Sequence, residues 1–173
     1  DKKRLEFRVR ISRIAGLRVQ SDPRLLKRII DNLVSNAIKY TEHGGILLGV
    51  VALPRSVRID VWDTGIGIPE GCKAKIFDEF FQVSNPGRDR AKGLGLGLSI
   101  VRLLVERLPE HRISFSSTPG AGSRFSIDIP RASEDLHQEA LPDIGTSAKF
   151  NGAYMIIVDD DLRLLESLTA LMT

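Results

Sequence analysis

The pattern of hydrophobic and polar positions predicts a series of short strands within the first 131 residues. The segments are LEFRVR, LRVQ, ILLGVVAL, SVRIDVWD, RISFSST and SRFSIDIP. A turn at Pro54–Arg55 separates the middle pair, and a turn at Pro119–Gly120 separates the last pair. Both pairs are therefore expected to form antiparallel hairpins.

Apolar positions spaced three and four residues apart predict two longer helices. The first runs from Pro23 to about Tyr40, because Ser21 or Asp22 can cap it and proline suits its first turn. Its apolar face is Leu25, Leu26, Ile29, Ile30, Leu33, Val34, Ala37 and Ile38. HGG (43–45) is expected to end it through a left-handed glycine. A short helix around KAKIFDEFF, a polar loop (82–92) and the helix LSIVRLLVERL follow.

This order of elements predicts an α+β fold. We expect a two-layer α/β sandwich, whose mixed, mostly antiparallel sheet is covered by helices on one face. This domain spans residues 1–131. The polar stretch 132–151 is expected to be a linker, because it is long for a loop inside a compact domain. Residues 152–173 then predict one buried strand and one helix.

Composition narrows the functional classes. The 173 residues carry a net charge of +3, with interspersed signs and one cysteine, Cys72. These features do not favour nucleic-acid binding, and they exclude an internal disulfide framework. The longest apolar stretch, GGILLGVVAL, is about half of the ~20 residues that a membrane span needs. We expect a cytoplasmic fragment without direct membrane contact, whose parent is either soluble or a membrane-anchored sensor.

Two asparagines lie four residues apart in the otherwise apolar first helix. Helical geometry places Asn32 and Asn36 on one face, with Lys39 and Tyr40 one turn further along. Amide oxygens are hard, neutral ligands that suit Mg²⁺, and a lysine can reach a phosphate as a point charge. The pattern alone leaves open the alternative that both asparagines lie at a solvated helix rim.

Two glycine-bearing loops offer further ligand contacts. In DTGIGIP, the Asp63 carboxylate can accept a hydrogen bond from an exocyclic amino group, and Gly65 and Gly67 allow the backbone to approach a flat ligand. An ordinary Asp-Thr-Gly turn is the alternative. In GLGLGLSI, three glycines precede a helix, which favours phosphate binding over a simple hinge. These are Gly93, Gly95 and Gly97. Neither loop has the spacing of a Walker A or dinucleotide-binding motif.

Between these loops, Phe77, Phe80 and Phe81 predict a core-facing aromatic cluster on the short helix. The cluster anchors one end of the polar loop 82–92. That loop could close over a nucleotide, and its cations Arg88 and Lys92 could meet phosphates, although most charge runs are merely solvated.

The order of these motifs resembles the ATP-binding domain of sensor histidine kinases, in the superfamily that includes gyrase and MutL-type ATPases. The Asn pair, D-x-G-x-G, F-x-x-F-F and G-x-G-x-G match its N, G1, F and G2 boxes over about residues 1–131. The resemblance implies ATP and Mg²⁺ as cofactors, with Asp63 accepting from the adenine amino group. The implied catalytic residues are Asn32, Asn36 and Lys39, of which the two asparagines bind Mg²⁺. The implied ATP-binding residues are Tyr40, Asp63, Gly65, Gly67, Phe81, Arg88, Lys92, Gly93, Gly95, Gly97 and Leu98.

The resemblance also bears on the reaction. Gyrase-like members carry a water-activating glutamate at the place of Asn32, and an amide cannot act as a general base. Asp31 points about 100° away on the helix. Phosphoryl transfer to a protein histidine is therefore favoured over fast hydrolysis. Leu94 stands where these kinases often carry Thr or Ser, so one hydroxyl contact is missing.

The partners implied by the resemblance lie mostly outside this chain. Its three histidines, His43, His111 and His137, lack the H-E-x-R-like setting of a phosphoacceptor, which is expected on upstream dimerisation helices. MIIVDDD resembles the first strand of a response-regulator receiver, where Asp159 and Asp160 would form part of an incomplete Mg²⁺ pocket. The parent is thus predicted to be a hybrid kinase of a two-component phosphorelay, with a receiver in cis and a downstream response regulator. The alternatives are a degenerate nucleotide-binding or interaction module and, less favoured, a gyrase-like ATPase.

Overall fold

The computed structural model describes residues 3–12, 16–83 and 94–132, together with two short strands near the C-terminal end. In chain order the elements are β1 (Glu6–Ser12), α1 (Pro23–Tyr40), β2 (Gly45–Ala52), β3 (Ser56–Asp63), a 3₁₀ helix (Glu70–Lys75), α2 (Gly97–Glu106), β4 (Arg112–Thr118), β5 (Gly122–Pro130), β6 (Ala148–Phe150) and β7 (Ala153–Met155). The first five strands form one sheet in the order β1-β2-β3-β5-β4. The β1–β2 pair is parallel and the other pairs are antiparallel, so the predicted α+β class is confirmed.

One face of this sheet packs with α1 and α2 into a single hydrophobic core. Alternate residues of β3, namely Val57, Ile59 and Val61, are buried there. The helices contribute Ile29, Ile30, Leu33, Val34 and Ala37 from α1, and Val101, Leu104 and Val105 from α2. Because strand side chains alternate between faces, Asp63 continues the helix-facing series at the end of β3.

The opposite face of the sheet carries polar pairs. The buried Asp60 carboxylate accepts hydrogen bonds from Arg124 at 3.2 and 2.9 Å and from Ser126 Oγ at 2.6 Å. The Arg124 guanidinium also lies 4.6 Å from the centroid of the Trp62 ring. These contacts satisfy a buried charge, which would otherwise be costly in free energy.

Two predictions for the N-terminal part of the chain were wrong. LRVQ does not form a strand, since its pairing is reduced to one antiparallel bridge between Val19 and Arg131. HGG does not end the first helix either. The helix ends at Tyr40, and the residue that caps it, Thr41, is extended (φ −102°, ψ 119°). The left-handed Gly44 (φ 103°) instead lies at the start of β2. A cation supplied by another segment, described below, satisfies the end of this helix.

The prediction for residues 73–81 is also partly wrong. Helical structure there is a 3₁₀ helix that begins earlier, at Glu70, and ends at Lys75, before the phenylalanines, and Phe80 has a left-handed φ of 61°. The Phe80 N–H donates to the Gly95 carbonyl at 3.1 Å, which draws the backbone out of a helical path. The Phe80 side chain is 65% exposed, so it does not join Phe77 and Phe81 against the core.

Near the C-terminal end, β6 and β7 pair antiparallel. β6 lies within the range predicted to be a linker, and β7 lies at the start of the predicted receiver strand. The predicted helix, Asp159 and Asp160 lie outside the described residues. Within the described part of the chain, no helix has the length and apolar character needed to cross a bilayer.

Candidate functional site

A cavity that is open to solvent lies between the second half of α1, the end of β3, the start of β5 and the start of α2, with about 550 Å³ of space that protein atoms do not fill. Its walls are mainly apolar, with a few convergent polar groups, which is the usual composition of a small-molecule site. Six residues predicted from the sequence line it: Asn36, Tyr40, Asp63, Gly67, Phe81 and Leu98. The other lining residues are Ala37, Ile66, Ile68, Ile76, Gln82, Val83, Ser123 and Phe125.

Asp63 supplies a carboxylate to the lining of this cavity. Its Oδ1 accepts hydrogen bonds from the N–H groups of Gly65 at 2.8 Å and Ser123 at 3.3 Å. Burial raises the pKa of the Asp63 carboxyl above its ordinary value, and these two N–H donors partly oppose the rise. A carboxylate has a second acceptor oxygen, Oδ2, which these two bonds do not use.

The loop after Asp63 lies close against two neighbouring segments. A β-carbon on Gly65 would overlap the Tyr40 carbonyl, and one on Gly67 would overlap the Thr118 carbonyl. Gly67 also has a left-handed φ of 67°, which disfavours other residues. Glycine at both positions therefore lets this loop form the wall of the cavity beside Tyr40.

The asparagine pair meets the glycine-rich start of α2. A β-carbon on Gly97 would lie 3.3 Å from Asn32 Oδ1 and 3.3 Å from Asn36 Nδ2. The Asn32 amide nitrogen donates to the Arg28 carbonyl at 2.7 Å, which leaves Oδ1 facing Gly97. Leu96, the residue before α2, has no side-chain oxygen for a cap, so the first N–H groups of the helix are available to an anion. Amide oxygens beside these N–H groups fit a Mg²⁺-bound phosphate.

Other predicted residues lie around this cavity or outside the description. Lys39 Nζ lies 4.6 Å from the centroid of the Tyr40 ring, which forms part of the cavity wall. Gly95 adopts a left-handed φ of 73° and packs against the backbone of Phe80 and Phe81. Arg88, Lys92 and Gly93 lie outside the described residues, so their roles stay predictions.

The sequence did not single out two serines behind Asp63. Ser117 Oγ accepts from the Ile68 N–H at 2.8 Å and lies 3.1 Å from Ser123 Oγ. Ser123 lines the cavity and is the register partner of Asp63 across β3 and β5. Its only sequence signal is the small-residue stretch GAGS (120–123) at the start of β5, where a β-carbon on Gly122 would overlap the Asp63 carbonyl.

Comparison with known proteins assigns this chain to a family. The model for histidine kinase-, DNA gyrase B- and HSP90-like ATPases matches residues 21–133. The chain belongs to this family. Its relatives include the sensor histidine kinase AtsR of Burkholderia thailandensis, which is 35% identical over 163 residues, covering 90% of this chain and 27% of AtsR. The sensor histidine kinase RcsC of Escherichia coli is 43% identical over 112 residues, covering 65% of this chain and 12% of RcsC.

Two solved structures share the fold of this chain. Full-length ShkA in complex with AMPPNP is 32% identical with a TM-score of 0.63, covering 76% of this chain and 26% of ShkA. The catalytic domain of the histidine kinase ThkA is 35% identical with a TM-score of 0.61, covering 73% of this chain and 78% of that domain. The chain thus contains a histidine kinase-type ATP-binding catalytic domain, and it spans about a quarter or less of the curated relatives named above.

Proposed function

We propose that this chain binds Mg-ATP and donates the γ-phosphate to a histidine on a separate dimerisation helix. The observation that carries the proposal is one cavity whose lining includes both the Asp63 carboxylate and the Asn36 amide, which lies beside Gly97. Such a cavity offers an acceptor for a base and a polar, N–H-rich end for phosphates.

Adenine is proposed to lie at the Asp63 end. Asp63 Oδ2 would accept from the exocyclic amino group, while the apolar walls formed by Ile66, Ile68 and Ile76 would cover the ring. Guanine presents a carbonyl oxygen at the corresponding position, and two acceptors facing each other leave a buried polar group unpaired. The site should therefore prefer ATP to GTP.

The triphosphate is proposed to lie against the start of α2. Asn32 and Asn36 would hold Mg²⁺ and phosphate oxygens, and N–H groups near Gly97 would bind phosphate directly. Lys39, whose Nζ lies over the Tyr40 ring, would add a positive charge. A bound Mg²⁺ would neutralise charge that develops during phosphoryl transfer.

Transfer is proposed over rapid hydrolysis, because the described site offers no base on this face of α1. Asn32 is an amide, and the neighbouring carboxylate of Asp31 pairs with Lys27 at 3.2 Å. A water molecule beside the γ-phosphate would thus lack a general base. This favours a histidine kinase over a gyrase-like ATPase.

The hybrid arrangement is a further part of the proposal. The match to AtsR covers 90% of this chain and must therefore extend beyond residue 133, where the match to the ATPase family model ends. We propose that this further segment is the start of a receiver in cis, which begins near β7 and would use Asp159 and Asp160 in its Mg²⁺ pocket. Upstream dimerisation helices and a downstream response regulator would complete the two-component pathway, and the protein would act in the cytoplasm.

The test is a calorimetric titration of the chain with ATP and GTP, with and without Mg²⁺, followed by a phosphate-release assay. The proposal expects Mg²⁺-dependent binding of ATP at least about tenfold tighter than that of GTP, with little phosphate release. Incubation with [γ-³²P]ATP and a separately expressed dimerisation segment of the parent protein should then label the histidine of that segment.

Each other result points elsewhere. If the chain binds neither nucleotide, the result would favour the alternative of an interaction module that does not transfer phosphate. Rapid phosphate release without an acceptor would favour a gyrase-like ATPase. Tight ATP binding without labelling of the dimerisation segment would reject the transfer step.

A further inference from the structure

The C-terminal end of α1 is closed by a residue from outside the helix. Lys3, which precedes β1, donates from its ammonium group to three carbonyl oxygens. The distances are 3.1 Å to Ile38, 2.9 Å to Lys39 and 3.1 Å to Thr41. An ammonium group has three N–H donors, so these contacts can use all of them.

The two remaining carbonyls at this end are also bonded. The Ala37 carbonyl accepts from the Thr41 N–H at 3.1 Å, and the Tyr40 carbonyl accepts from the Ile66 N–H at 3.2 Å. Every carbonyl from residue 37 to residue 41 therefore has a donor. Helix ends usually achieve this with a left-handed glycine or with water. Here the extended Thr41 gives no glycine turn, and a cation at the negative end of the helix dipole replaces it.

This end of α1 also faces the nucleotide cavity. Lys39 and Tyr40 belong to the turn whose carbonyls Lys3 holds, and the Tyr40 ring lines the cavity. The Ile66 N–H that bonds Tyr40 lies in the loop following Asp63, and Ile66 lines the same cavity. A shift of this turn would thus move residues at both the rim and the wall.

We propose that Lys3 is a positioning residue for the nucleotide site, which fixes Lys39 and Tyr40 by holding the last turn of α1 from the segment before β1. The inference rests on the proposed binding of Mg-ATP. It goes further by coupling the segment before β1 to nucleotide affinity through three hydrogen bonds.

The test measures the Kd of Mg-ATP by calorimetry at a temperature where every variant is folded. Lys3→Met should raise the Kd about threefold to fivefold, which corresponds to the usual energy of a cation at a helix C-terminus. Lys3→Arg, which keeps a cation with several donors, should stay within about twofold of the unaltered chain. Arg4→Met removes the same charge from the next residue, which is exposed and makes none of these contacts, and should have no effect.

Hydrogen exchange at the Ile66 amide reports whether the turn moves. This amide should exchange faster in Lys3→Met than in Arg4→Met, because its acceptor is the Tyr40 carbonyl. If Lys3→Met does not fold, Lys3→Gln, which removes the charge but keeps an amide donor, supplies the comparison.

The outcomes separate this inference from the function on which it rests. If Lys3→Met binds Mg-ATP as tightly as the unaltered chain, the positioning role is wrong and the proposed function stands. If Arg4→Met loses the same affinity for Mg-ATP, the effect belongs to charge alone, and the positioning role of Lys3 is again wrong. If the unaltered chain binds no nucleotide, both proposals fall.

Discussion

Replacing Gly97 by alanine should weaken the binding of Mg-ATP without lowering the stability of the fold. The added methyl group would lie 3.3 Å from both Asn32 Oδ1 and Asn36 Nδ2, which is closer than side chains normally pack. Either the asparagine amides or the start of α2 must shift by a few tenths of an ångström. Both groups are proposed to hold the Mg²⁺-bound phosphates, so the shift should weaken Mg-ATP binding about tenfold, or 1.4 kcal/mol.

The same replacement should not destabilise the fold. Gly97 is the first residue of α2, and alanine is favoured over glycine in helices by up to about 1 kcal/mol. The expected result is therefore a Tm that is unchanged or raised, together with weaker Mg-ATP binding. Adenosine, which has no phosphates, should bind both proteins equally, because the Asp63 end of the cavity is unchanged.

Gly71→Ala is the matched control for this experiment. A β-carbon on Gly71 meets no atom within 4 Å, and the residue is exposed in the 3₁₀ helix. Its Mg-ATP affinity should equal that of the unaltered chain. The reasoning is refuted if Gly97→Ala binds Mg-ATP normally, or if it loses adenosine and Mg-ATP to the same extent. Calorimetry for binding and circular dichroism for melting provide both measurements.

Three further predictions concern the carboxylates. Asp63→Asn places a donor where the adenine amino group also donates and should weaken ATP binding roughly tenfold to hundredfold, whereas Asp31→Asn on the exposed side of α1 should not. Burial raises the pKa of the Asp63 carboxyl in the folded state. The protonated carboxyl therefore stabilises the fold at pH values below its ordinary pKa, and this stabilisation is lost as the pH rises through the raised pKa. Urea unfolding across the acid range should show this loss, and Asp63→Asn should lack it. Arg124→Met leaves the Asp60 carboxylate buried without its ion pair and should cost about 3 kcal/mol in urea unfolding, more than Arg58→Met, whose partner is less buried.

Specific results would contradict each of these predictions. Equal ATP affinity of Asp63→Asn and Asp31→Asn would remove the base contact from the proposal. A parallel pH dependence of unfolding in Asp63→Asn would assign that dependence to other groups. Arg124 contacts Asp60 on the face of the sheet opposite the cavity, so a large loss of ATP affinity in Arg124→Met would contradict the placement of the site.

Most of the fold could be predicted because its elements have local signals. The 18-residue helix α1 has a wide apolar face and a proline in its first turn, and the side chain of the preceding residue, Asp22, accepts hydrogen bonds from two of its N–H groups. The predicted bounds of this helix were correct. Strands β2, β3, β4 and β5 were also placed to within about one residue, since turn residues bound them. The order of the four motifs then predicted the family, which the family comparison confirms.

The errors arose where distant segments decide local structure. The end of α1 was assigned to a glycine, but its carbonyls bond to Lys3, which is 35 to 38 positions away. Phe80 was expected to face the core, but a backbone bond to Gly95 turns it outward. Ser123 joins the cavity only because β5 pairs with β3 in a particular register. No local pattern carries this information, and the roles of the site residues stay predictions.

The pairing of β3 with β5 also sets the order in which this site can form. The Ser123 N–H reaches the Asp63 carboxylate from 60 positions further along the chain, so loop-closure entropy opposes the contact until both strands are held in the sheet. A growing chain that has folded α1, β2 and β3 still lacks the Ser123 wall of the cavity. A nucleotide that binds only the completed site stabilises the folded state by mass action. ATP supplied during refolding should therefore favour chains in which β5 is already in place.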